Sequence, residues 1–77
     1  MVIGTLEVEI LIPGADSLKA KRMVLRSLKD RVRGSFNVSI AEVANQDQWQ
    51  SASLAIVTVS SDRQFANEVL SKVVRFI

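Results

Sequence analysis

The chain has 77 residues, with 10 Lys and Arg against 8 Asp and Glu, and it contains neither His nor Cys. That length allows one domain, residues 1–77. The missing imidazoles and thiols exclude disulfides, thiol nucleophiles, the common zinc centres and histidine acid–base chemistry. A hydrophobic content of 48% belongs to a globular chain. No apolar run approaches the roughly 18 residues of a membrane span. The first residues, Met1-Val2-Ile3-Gly4, lack the basic flank and cleavage site of a signal peptide. The expected location is the cytoplasm, with no membrane partner.

Residues 4–12 alternate, with Leu6, Val8, Ile10 and Ile12 on one side and Thr5, Glu7 and Glu9 on the other. Period two with β-branched side chains predicts a strand covered on one face. Pro13-Gly14 ends it, because proline lacks the ladder N–H. Asp16 or Ser17 then caps a helix from Leu18 to about Arg33, with Leu18, Val24, Leu25, Leu28 and Val32 as its apolar stripe and Gly34 as its stop. A second strand spans residues 36–43, with Phe36, Val38 and Ile40 on one face. A polar connection over residues 44–52 holds the only Trp. The third strand, residues 53–60, contains Leu54-Ala55-Ile56-Val57, apolar on both faces as a central strand requires. Ser61 or Asp62 caps a second helix whose stripe reads Phe65, Val69, Val73 and Phe76.

This order, β-α-β-β-α, predicts an α+β fold with two helices on one face of an antiparallel sheet. A right-handed crossover between strands one and two leaves a gap that strand three fills. The result is a ferredoxin-like βαββαβ sandwich without its last strand. The outer edge of the first strand is then open, and open edges recruit partners, a second copy of the chain included.

Charge is unevenly distributed. Residues 18–33 carry seven cations and one acid, while the remainder of the chain carries three cations and seven acids. At about 100° per residue, with Leu18 at zero, Lys29, Arg22, Arg33, Arg26 and Lys19 fall between about 20° and 100°, beside the apolar stripe. Like charges at this spacing destabilise a helix by a few tenths of a kcal/mol per pair. The row is either a phosphate-tracking stripe for RNA, a docking face for an acidic partner, or a plain solvated flank. Lys21 falls inside the apolar stripe. The simpler expectation is a stem packed on the core edge with its ammonium reaching out to water; the alternative is a lysine held toward a ligand. Trp49, flanked by Gln46, Asp47, Gln48 and Gln50, either folds over the end of the sheet or stacks on a base. The exposed sheet face, with Thr5, Glu7, Glu9, Asn37 and Ser39, is acidic and lacks aromatics, which argues against RNA there. Acylphosphatases share the topology, but their glycine-rich loop is replaced here by Ile12-Pro13-Gly14-Ala15-Asp16, and Glu7 and Glu9 have no nucleophile or metal partner beside them.

Three segments resemble the YlxP-like family of small bacterial domains of unknown function. They are Ile12-Pro13-Gly14-Ala15-Asp16-Ser17-Leu18-Lys19-Ala20-Lys21-Arg22, Phe36-Asn37-Val38-Ser39-Ile40-Ala41-Glu42-Val43 and Gln46-Asp47-Gln48-Trp49-Gln50. The resemblance implies a ferredoxin-like fold and a cytoplasmic bacterial protein. It also implies a gene neighbourhood of translation initiation factor two and ribosome-binding factor A, which is association and not mechanism. Together these readings lead to a non-enzymatic module without cofactor or metal. It would bind ribosomal RNA or a ribosomal particle through Lys19, Lys21, Arg22, Arg26, Lys29, Arg33 and Trp49. The alternative is a self-association or protein-interaction module that pairs through the strand at residues 4–12.

Overall fold

The alternation near the N-terminus builds β1, Val2–Leu11, in which every second side chain turns inward. A computed structural model describes all residues, 1–77. After β1 come α1 (Leu18–Ser35), β2 (Ser39–Ala44), β3 (Ser51–Ser60) and α2 (Arg63–Phe76). β3 lies between the other strands and is antiparallel to both, giving the order β1-β3-β2. This is the ferredoxin-like arrangement expected from the crossover rule.

β1 and β3 pair along their whole lengths, from Val2 opposite Ser60 to Leu11 opposite Ser51. Because β3 is flanked on both sides, its inward residues Ala52, Leu54 and Ile56 are sealed at 0% exposure. Leu54 and Ile56 each contribute about 1.5–3 kcal/mol of burial. Around them pack Ile12, Ala15, Leu25, Val32, Ile40 and Val73. β1, an edge strand, leaves Leu6, Val8 and Ile10 only half-buried.

Both helices start where the short polar residues place them. The Ser17 side chain accepts from the Ala20 N–H at 3.0 Å, and the Asp62 carboxylate accepts from the Gln64 N–H at 3.3 Å. Gly34 does not stop α1. The helix runs through it to Ser35, and the Phe36 N–H closes the last turn on the Val32 carbonyl at 2.9 Å. The glycine with positive φ is Gly14, at 85°, in the turn after β1. Residues 36–38 do not pair as strand; the Asn37 carbonyl instead accepts the Thr58 hydroxyl at 3.2 Å.

The apolar stripes are narrower than the periodicity suggested. On α1, Leu25 and Val32 are buried, whereas Val24 is 48% exposed. On α2 the inward residues are Ala66 and Val73, and Phe65 stands 56% exposed. The helix is rotated so that small Ala66 meets the sheet, which brings it close over β1. A Cβ built on Gly4 would lie 3.0 Å from Leu70 Cδ1 and 3.6 Å from Ala66 Cβ. Phe76 instead meets Phe36 edge to face, with ring centroids 5.6 Å apart.

This rotation makes a stability prediction. Val73→Ala should cost about 1.5–3 kcal/mol, and Phe65→Ala less than about 1 kcal/mol, despite the larger volume removed. Chemical denaturation of the two variants checks it; equal losses would place Phe65 in the core.

Candidate nucleic-acid interface

α1 lies over β2, the shorter edge strand, and this juxtaposition arranges the cations. Arg22, Arg26, Lys29 and Arg33 line one shallow groove between α1 and β2, with Leu25, Asp30 and Glu42. Lys19, Arg22 and Arg26 line the adjoining outer face of the helix, together with Met23, Ser27, Asp30 and Arg31. The five cations therefore follow one flank of α1 from its first turn to its last.

They are not equally free. The Arg33 Nη2 donates to the Ile40 carbonyl at 3.0 Å, and its Nη1 lies 3.6 Å from Asp30. The first contact occupies an acceptor of the edge strand; the second is a solvent-exposed pair worth about 0–1 kcal/mol. Arg33 is thus a clasp between α1 and β2, a role its helical angle did not reveal. Lys19, Arg22, Arg26 and Lys29 make no ion pair within 4.0 Å.

Lys21 corrects the expectation of an outward-reaching ammonium. It is 1% exposed, and its Nζ donates to the carbonyls of Asn45 and Gln48, both at 2.6 Å. Its third neighbour is Glu42 Oε2 at 2.7 Å. With two N–H groups donated to carbonyls and the ammonium sealed inside the protein against a carboxylate, Lys21 is not available to a phosphate. The Glu42 contact is too oblique to count as a hydrogen bond, and Oε2 is buried with no other donor. That buried oxygen is therefore compensated by the charge of Lys21 without a hydrogen bond, while the rest of the carboxylate is partly exposed at the basic groove. Glu42 was not among the residues singled out in the sequence. Its inward position on β2, in phase with Ile40, is the signal that marks it.

The same ammonium shapes the β2–β3 loop. Asn45 adopts a φ of 62°, and its carbonyl also accepts the Gln48 N–H at 3.1 Å. The loop amides are largely committed within the molecule. Asn45 donates to the Ser53 hydroxyl at 2.9 Å, Gln48 accepts from the Ser51 hydroxyl at 2.6 Å, and Gln50 donates to the Ala15 carbonyl at 3.4 Å. They are not a free set of groups for reading a base edge. Trp49 does not fold over the sheet as a packed cover; it is 51% exposed. It lines a shallow depression with Leu11, Pro13 and Gln50, which contains none of the α1 cations. The structure brings the basic row together but leaves Trp49 outside it.

No group of three or more Asp or Glu carboxylates is placed to hold a metal ion. No helix is long and apolar enough to cross a membrane. Comparison with known proteins gives one family, described as "Protein of unknown function (DUF503)", whose model matches residues 3–77. The chain belongs to this family. The chain is also similar to the "Uncharacterized protein YlxP" of Bacillus subtilis (strain 168), 46% identical over 76 residues that cover 99% of this chain and 83% of the relative. The YlxP-like resemblance of the three sequence segments is thereby established, and the function of the family is open.

The buried pair makes the second prediction. Lys21→Met strands the Glu42 carboxylate and two carbonyls, and should lower stability by about 3–5 kcal/mol. Adding Glu42→Leu removes the stranded charge and should restore part of that loss. Thermal and denaturant unfolding of the single and double variants checks the order; a single variant as stable as wild type would show that the pair contributes nothing.

Proposed function

We propose that this domain binds RNA without catalysis, through phosphate contacts along α1, and that its partner is ribosomal RNA or a ribosomal particle during ribosome assembly. The observation that carries this reading is the unpaired row of exposed Lys19, Arg22 and Arg26 and half-buried Lys29. Its self-repulsion is unfavourable for the helix, and polyanion binding would relieve it. A phosphate chain laid along such a flank releases counterions for each charge neutralised. Arg33 contributes to the field but stays engaged with Ile40, and Lys21 acts by holding the β2–β3 loop in shape.

Four phosphate contacts give a slope of log K against log salt of about −3 to −4, at roughly −0.9 per contact on a duplex. Reversing two of them, with Arg22→Glu and Arg26→Glu together, should abolish retention on ribosomal RNA at low salt. Both positions are exposed, so the fold should survive, which circular dichroism checks. A folded double variant that still binds at the wild-type level would overturn the proposal.

A further inference from the structure

We propose that Glu42 reads ribose in the basic groove, its carboxylate accepting a hydrogen bond from a 2′-hydroxyl of bound RNA, a role that rests on the phosphate contacts proposed above for α1. The groove between α1 and β2 is lined by Arg22, Arg26, Lys29 and Arg33, and it also holds Glu42. A carboxylate in such a place repels the phosphates that the cations attract.

The groove does not neutralise Glu42. Its ion pair is with Lys21, at 2.7 Å to Oε2, and no other cation lies within 4.0 Å of the carboxylate. Oε2 is buried, while the side chain as a whole keeps 18% exposure. Oε1 is thus the oxygen left to the groove, and no protein donor hydrogen-bonds to it. The carboxylate also has a fixed place. The Lys21 pair ties it to the first turns of α1, and Arg33 ties the last turn to the Ile40 carbonyl at 3.0 Å. The groove is therefore braced near both ends, and its acceptor is set before any ligand arrives.

A free acceptor among cations calls for a ligand that brings both phosphate and a donor. The sugar–phosphate backbone of RNA has one hydrogen-bond donor per nucleotide, the 2′-hydroxyl, and the backbone of DNA has none. That hydroxyl is on the carbon next to the one that carries the 3′-phosphate. A phosphate held by the row thus carries a hydroxyl into the groove with it. Donation to an ionised carboxylate is among the stronger hydrogen bonds. With deoxyribose the same carboxylate keeps only its repulsion of phosphate. No aromatic side chain lines the groove, and the loop amides are committed within the molecule, so the site selects the sugar and not the base sequence.

A short RNA hairpin and the same hairpin with fluorine in place of every 2′-hydroxyl test this. Fluorine keeps the A-form sugar and the phosphates but cannot donate. By fluorescence anisotropy, the full chain should bind the RNA hairpin about tenfold tighter than the fluoro hairpin. The ratio should hold as salt is raised, because both probes release the same counterions. Glu42→Gln should bring the ratio to about one. In that variant the Lys21 ammonium holds the amide oxygen and turns the NH2 to the groove, where it meets phosphate on either probe. Partial unfolding of the variant would weaken both probes equally and leave the ratio unmoved. Wild-type protein that binds the two hairpins equally overturns the ribose role and leaves the phosphate row standing. A tenfold preference that persists in folded Glu42→Gln also overturns it. Wild-type protein that binds neither hairpin overturns the phosphate row and the ribose role together.

Discussion

A lysine ammonium inside a protein is stable only where hydrogen-bond acceptors meet it and a negative charge stands close by. Lys21 meets both conditions, with the Asn45 and Gln48 carbonyls and the Glu42 carboxylate within 2.7 Å. The constraint reaches three elements at once. It fixes the first turns of α1 against β2, it holds the β2–β3 loop in a conformation with Asn45 at positive φ, and it sets which residues of α1 face inward. With Lys21 pointing in, the neighbouring cations of the helix necessarily emerge on the adjacent flank.

Arg33 plays a related part at the other end of α1. Its guanidinium occupies the Ile40 carbonyl, which ties the end of the helix to the edge strand. Two of the seven cations of the basic segment are therefore structural fasteners. The remaining excess is what gives α1 its electrostatic character, and it is concentrated beside β2. The other side of the sheet is different in kind. There β1 carries half-covered aliphatic residues inward and the Glu7 and Glu9 carboxylates on the outer face.

Much of the architecture was legible in the sequence because its signals are local and strong. The alternation of β1, the Ser17 and Asp62 caps and the doubly apolar β3 each follow from neighbours a few residues apart. The basic row was legible for the same reason, since helical spacing alone sets its angles. Phe65 and Val24 were misread because hydrophobicity and periodicity do not say how a helix is rolled against a sheet. Small Ala66 wins the inward place on α2, where Leu70 and Ala66 approach Gly4 so closely. Gly34 was misread because glycine tolerates a helix interior when packing continues beyond it, and Phe36 provides that packing.

By itself the sequence determined the element order, the central place of β3, the family and the segregation of charge onto α1. All of these depend on spacing along the chain or on similarity to known sequences. Only the tertiary structure decided the fate of individual polar groups. Lys21 and Glu42 are 21 positions apart in sequence, and Lys21 and Gln48 are 27 apart. No local pattern records that such groups meet. The same holds for Arg33 on Ile40 and for the separation of Trp49 from the cations, because those outcomes depend on which carbonyls the folded chain leaves without a partner.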